Sequence, residues 1–470
     1  MLIYILFILL ILMFVVIYTK IDKDIFSPSL LFVLTYIVSV GCAVCNVKLW
    51  NIKMAPVTFF VLLLGTLEFV GISLYVSSRY RVYEKKIIQR PLKEIELPWW
   101  KIILTDIACA GYMVLLYCNV IAIAGRHGTY ENLSEALAIF KKVTTETLTD
   151  SLPWWLGQVE RLAMLCGYIF MYIVIRNIIA QGRKMSKKQI AKNICCIIPI
   201  LLHLCNGFLV GDRLQMLQII VGGVIICFLM WSYKTGKRYI SLKTIGILAV
   251  CACAGLVLFY FSASLIGRVN TKGLWEYITF YCGCSIECLN QFFKNPPMPS
   301  NIFGKETLYN LNLKLYTLGL LDLKKFYSIH LEFRYYGDVM VGNVYTAYRR
   351  WIYDFGFVGA VILQGVMAAV MSIFYNKLKY RKVRNIGFWL ILYSYLAYTV
   401  VFHPIDGYFY VQYVSQTFIT TVILIWLMYW FFVNMKIEYK NGLIIHINKN
   451  IRIEKFHLVK SKPKAKEHAK

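Results

Sequence analysis

Apolar residues along this chain neither alternate at the two-residue period of a half-buried strand nor form the narrow stripe of an amphipathic helix. They collect into runs of roughly twenty residues, the length a helix needs to cross the hydrocarbon core of a bilayer. The runs fall at 2–19, 28–46, 56–77, 102–124, 154–180, 194–210, 214–232, 244–263, 355–375, 386–402 and 411–434. The pattern predicts an all-α polytopic membrane protein of about eleven transmembrane helices, with ten to twelve compatible with it. The first run lacks both a basic leading segment and a small-residue cleavage site, so it reads as a retained span rather than a signal peptide.

The connections alternate in charge. Lys and Arg number seven in 79–101, five in 181–192, four in 233–243, five in 376–385 and ten in 435–470. By contrast, 47–55 carries two basic residues, and 126–153 carries three against four acids. Positively charged connections stay in the cytoplasm, which puts the N-terminus outside and the C-terminus inside.

One outer connection is far longer than the rest. Residues 264–354 separate the eighth and ninth runs, and a segment of that length is expected to fold or to carry function. Within it, "LWEYITFYCGCSIECLNQFF" (274–293) reads as an amphipathic helix on the outer surface, or a re-entrant one, and "KNPPMPSNIFG" (294–304) ends it. Four regions result: eight spans over 1–263, the outer segment 264–354, three spans over 355–434, and a basic cytoplasmic tail over 435–470.

Composition supports the membrane reading. The chain is 59% hydrophobic, and its 16% of charged residues is well below the roughly 25% of soluble domains. The net charge of +27 sits in short connections between apolar runs, which excludes nucleic acid as the partner it would otherwise suggest. The fourteen cysteines are scattered, many within spans, and pack as small apolar residues. For Cys282, Cys284 and Cys288 in the long segment, a disulfide or a metal stays open. No P-loop, dinucleotide fingerprint or HExxH pair occurs, so no cofactor is expected.

Polar residues at the outer ends carry the chemistry. "NGFLVGDRLQML" (206–217) joins two spans through little more than Gly211, Asp212 and Arg213. Arg213 therefore opens a helix whose free N–H groups and dipole also favour an anion. Arg268, Arg334, Arg349 and Arg350 lie on the same side, with Asp338 and Asp354 between and beyond them. Glu160 and Arg161 stand two turns inside an outer helix end, where ionisable groups are costly. His403 and Asp406 occupy the last outer turn. Aromatic residues, Tyr277, Tyr281, Tyr345 and Tyr408 among them, suit sugar rings as well as a membrane interface. Neither an internal repeat nor a polar path through the membrane is apparent.

"FSPSLLFVLTYIVS", "GDRLQMLQIIVGG", "YCGCSIECLNQFF" and above all "GNVYTAYRRWIYDFGFVGAVI" resemble, in that order along the chain, bacterial oligosaccharide repeat-unit polymerases of the Wzy type. Gly359 follows Arg349 by ten positions, one short of the Arg-x10-Gly spacing of some members, so no role is carried across on that pattern. The resemblance implies a fold like the GT-C integral membrane glycosyltransferases. It also implies polymerisation of undecaprenyl-diphosphate-linked repeat units into O-antigen, capsule or exopolysaccharide at the outer face of the bacterial cytoplasmic membrane. The implied partners are the lipid-linked substrate, the bilayer, and a chain-length regulator and flippase of the same pathway. Arg213, Arg268 and Arg349, with Arg334 and Arg350 in reserve, would hold the diphosphate. His403 or Asp354 would be the base. Glu160, Arg161, Asp338, Tyr345, Asp406 and Tyr408 would line the sugar pocket, and no metal is required. An O-antigen ligase would share the architecture and leaving group, and a lipid-linked oligosaccharide flippase is the non-enzymatic alternative.

Overall fold

The computed structural model describes residues 1–470 except 20–22, 82–91, 147–148, 183–184, 238, 266–272, 322–330, 440–442, 447–450, 455–456 and 461–470. In chain order the helices are α1 (Leu2–Ile17), α2 (Pro28–Cys45), α3 (Pro56–Arg81), α4 (Trp99–His127), α5 (Leu133–Lys141), α6 (Trp154–Gln181), α7 (Lys187–Cys195), α8 (Ile198–Val210), α9 (Arg213–Thr235), α10 (Leu242–Leu265) and α11 (Leu274–Lys294). They continue with α12 (Tyr309–Thr317), α13 (Ala347–Lys379), α14 (Ile386–Leu396), α15 (Tyr398–Val401), α16 (Tyr408–Tyr413) and α17 (Gln416–Tyr429). Among the described residues, nine helical stretches are long and apolar enough to cross a membrane, with α7 and α8 counting as one. The other two expected positions hold the shorter apolar helices Leu2–Ile17 and Ile386–Val401. The chain is a polytopic helical membrane protein.

The two ends of the bundle are distinguished by the contacts that gather there. At one, here called the loop end, Arg213 meets α11, Asn290 of α11 meets Lys53 and Ala55, and the Ala347 N–H donates to the His403 carbonyl at 3.0 Å. At the opposite end, Lys379 meets Asp24, Tyr233 donates to the Leu378 carbonyl, and Asn177 brackets both backbone groups of Ile95. The Lys/Arg-rich connections 181–192, 233–243 and 376–385 lie at this opposite end.

Local sequence sets the helix boundaries. Ser27 caps α2, with Pro28 at its first position. Gly211, at φ 70°, ends α8 in the left-handed conformation, and the Asp212 carboxylate then accepts from the Leu214 N–H to start α9. That tight turn makes Arg213 the first residue of its helix, as the sequence implied.

Three features depart from expectation. α13 begins at Ala347, not at 355, so Arg349, Arg350 and Asp354 are helical. A break at Gly356 (φ 66°, ψ −172°) then redirects the chain into the apolar run. The helix α11, expected either on the outer surface or as a re-entrant one, is buried along most of its length and packs against α2, which departs from the surface alternative. Its approach is so close that a Cβ on Gly283 would lie 2.6 Å from the Ala43 backbone nitrogen. Finally, the chain is not purely helical. β1 (Arg334–Tyr336) and β2 (Val339–Gly342) form a hairpin in the long segment. In the tail, β3 (Lys436–Tyr439), β4 (Leu443–His446), β5 (Ile451–Glu454) and β6 (His457–Lys460) form an antiparallel meander. The alternation of "IRIE" (451–454) is short and lies among basic residues.

Candidate functional site

Arg213 projects from the first turn of α9 into an aromatic cage built by α10 and α11. Its guanidinium carbon lies 4.1 Å from the Phe259 ring centre, 5.4 Å from Tyr281 and 5.9 Å from Tyr277. It donates to the Tyr277 hydroxyl at 2.7 Å, to the Phe259 carbonyl at 3.4 Å and to the Tyr281 hydroxyl at 3.5 Å. Tyr277 and Tyr281 face it together because they are four residues apart on one helix face. Arg213 is 7% exposed, and among the described residues it makes no ion pair with a carboxylate. A buried cation held by neutral groups at a helix N-terminus has spare capacity for an anion.

The other arginines are placed differently. Arg349, fully buried, donates to Glu306 at 2.8 Å and to both oxygens of Glu332 at 3.3 Å, with Phe292 and Tyr353 against its faces. Arg350 makes a bidentate pair with Asp406, at 2.6 and 2.8 Å. Arg334 donates to Glu332 and to the Tyr345 hydroxyl, both at 2.8 Å. Burial pushes Glu306 up to about 7 against the pull of Arg349. Burial also opposes ionisation of Glu332, yet Arg349 and Arg334 together hold it below its ordinary value. Each of these arginines already has a carboxylate partner, whereas Arg213 has none among the described residues, so the expected clamp residues fall into two settings. Arg213 and Arg349 also anchor on different parts of α11: Tyr281 and Phe292 are about 16 Å apart along the axis. Arg268 lies outside the described residues.

The two expected bases are occupied as well. The Asp354 carboxylate accepts from the backbone N–H groups of Glu306 and Thr307, at 3.0 and 2.6 Å, and so folds the long segment onto α13. His403 is buried between α2 and α13. The Gln364 amide nitrogen donates to the Gly65 carbonyl, which leaves its oxygen to accept from His403 Nε2 at 3.0 Å. Nδ1 must then accept from the Tyr36 hydroxyl at 2.7 Å. Burial pushes the imidazole down to about 3, so it is neutral. His403 thus ties α2, α13 and the last turn together.

Of the remaining pocket candidates, Asp338 sits exposed at the turn of the β1–β2 hairpin. Tyr345 is buried and bonded to Arg334 and the Glu332 carbonyl. The Tyr408 ring packs against that of Tyr398, with ring centres 5.9 Å apart. Arg161 donates to Gln158 and Thr420, and Glu160 accepts from Gln215 at 3.1 Å.

Glu160 also belongs to something the hydropathy pattern hid. Asp106 and Tyr112 of α4, Cys166 of α6, and His203 and Asn206 of α8 place polar atoms inside the group of three mutually packed helices. Single polar residues lower the mean of an apolar run only slightly, so hydropathy alone did not single these residues out. Glu306, Glu332, Phe259 and Gln364 were likewise missed, because only the fold brings them to their partners. Among the described residues no group of three potential metal ligands forms. No family model, curated protein or solved structure matches the chain.

Proposed function

We propose that this protein is a membrane glycosyltransferase that polymerises polyprenyl-diphosphate-linked oligosaccharide units, with its loop end outside the bacterial cytoplasmic membrane. The observation that carries the reading is Arg213, a buried guanidinium in an aromatic cage with no carboxylate among the described residues to neutralise it. The motif resemblance along the chain supports the same reading. In the reaction, a hydroxyl of one unit attacks the anomeric carbon of the growing chain. The bond from that carbon to the phosphate oxygen breaks, the lipid diphosphate leaves with its electron pair, and the attacking hydroxyl passes its proton to water. A fixed cation at the departing diphosphate stabilises the charge that develops there. Arg213 is the residue assigned to that work. Arg349, Arg350 and Arg334, paired with Glu306, Asp406 and Glu332, tie the long segment and the last outer turn to α13.

A flippase is the second reading, favoured by the polar residues inside the α4–α6–α8 group, since transporters carry such groups through the membrane depth. The two readings part in a deletion strain. A polymerase mutant still exports single repeat units and loses only long chains. Retention of the units on the cytoplasmic leaflet would instead assign the flippase.

A further inference from the structure

We propose that Cys42 and Cys282 form a disulfide that fixes α11 to α2 beside the Arg213 cage. The two cysteines lie where the helices touch backbone to backbone. A Cβ on Gly283, the residue after Cys282, would lie 2.6 Å from the Ala43 nitrogen and 2.7 Å from the Cys42 carbonyl carbon. One turn earlier on α2, the Ser39 hydroxyl donates to the Cys282 carbonyl at 2.7 Å and meets the Ser285 hydroxyl at 3.4 Å. Ser39 and Cys42 are three residues apart, as are Cys282 and Ser285, so each pair shares one helix face. Within this contact the Cys42 thiol is hydrogen-bonded to Cys282. Both thiols are free and only half-buried, unlike Cys109 and Cys166, which are sealed inside the bundle.

A disulfide needs its Cβ atoms about 3.5–4.5 Å apart, a separation reached where helices meet through a glycine. The oxidant is an external disulfide, carried by a small thiol or by a thiol–disulfide oxidoreductase. One protein thiolate attacks that disulfide, forms a mixed disulfide and expels a thiolate. The second protein thiolate attacks the sulfur of the first, the Cys42–Cys282 bond forms, and the other external thiolate leaves. Two protein thiols are oxidised, one disulfide is reduced to two thiols, and the two protons pass to the departing thiolates. Such bonds persist outside the cytoplasm, where the proposed orientation puts the loop end. Cys282 follows Tyr281, which with Tyr277 holds Arg213, so the bond fixes the part of α11 that builds the cage. The compartment rests on the glycosyltransferase reading and its orientation, whereas the pairing of the two thiols does not.

The test uses the full wild-type chain. Cells are lysed in N-ethylmaleimide to block free thiols, and the purified protein is digested without reductant and mapped by mass spectrometry. A linked peptide pair carrying Cys42 and Cys282 is expected, and dithiothreitol should dissolve it. In a second arm, protein reduced and then treated with oxidised glutathione should lose two free thiols and gain about 2–4 °C in thermal midpoint. Cys42→Ser and Cys282→Ser should each abolish that gain. Cys45→Ser, at an exposed thiol one turn away, should leave it intact. Maleimide on both Cys42 and Cys282 from cells in which a fusion near Asn301 reads external would overturn the bond. So would linkage of either cysteine to a different one, or no linked pair after oxidised glutathione. A cytoplasmic reading near Asn301 would contradict the orientation instead, and the glutathione arm then decides the pairing.

Discussion

Arg213 and Arg350 show how one residue type serves two ends. The guanidinium of Arg350 meets the Asp406 carboxylate in a buried fork, and removing one partner of such a pair costs about 3–5 kcal/mol because the other charge stays buried. Arg350→Ala should therefore lower the thermal midpoint of the detergent-purified protein sharply, and the loss of glycan in cells should track the loss of protein. Arg213 faces neutral tyrosines, so Arg213→Ala should leave abundance near wild type while long-chain glycan disappears. Arg213→Lys keeps charge but not the planar fork, and should fall between. Quantitative immunoblots beside glycan gels check both. Arg213 was legible in the sequence, since a turn of Gly211 and Asp212 leaves it nowhere else to go. The roles of Arg349 and Arg350 were not, because Glu306 and Asp406 lie 43 and 56 residues away and only tertiary packing brings them near.

At the scale of the element, α11 and the break in α13 set the geometry of the loop end. α11 carries the Arg213 cage on its first half and packs Phe292 on Arg349 near its last turn. Its seat on α2 depends on Gly283, where a Cβ would meet backbone rather than a movable side chain. Gly283→Ala should push the two helices apart and lower the thermal midpoint. Gly356 has open space around it, yet its φ of 66° with ψ of −172° belongs to glycine alone. Gly356→Ala should thus cost about 1–3 kcal/mol from backbone strain. Gly111→Ala, in open space within α4, should be neutral or slightly stabilising. A thermal-shift series over the three variants checks the ranking. The apolar runs were legible because a bilayer demands length and hydropathy. The helix of α11 was legible too, at 274–293; its burial was not, because Glu276, Glu287 and Asn290 lower its apolar character, although the last two are buried and bonded to one another at 2.8 Å.

For the molecule as a whole, charge sorts the two ends. The Lys/Arg-rich connections meet around the Asp24–Lys379 pair, and the lean ones meet around Arg213, α11 and His403. Under the proposed orientation, reporter fusions after Lys93, Lys187 and Lys382 read cytoplasmic and a fusion near Asn301 reads external. An external signal at Lys187 would invert the assignment and place Arg213 on the wrong side for an exported unit. The central claim is polymerisation that depends on Arg213, and its most direct measurement is a reaction in vitro. Lipid-linked units extracted from a deletion strain are given to the purified protein in liposomes, and the products are resolved by length. The account predicts a ladder of multiples with release of polyprenyl diphosphate from the wild-type protein, and single units only from Arg213→Ala at equal protein. A wild-type protein that returns its units unjoined, or a full ladder from Arg213→Ala, would contradict it.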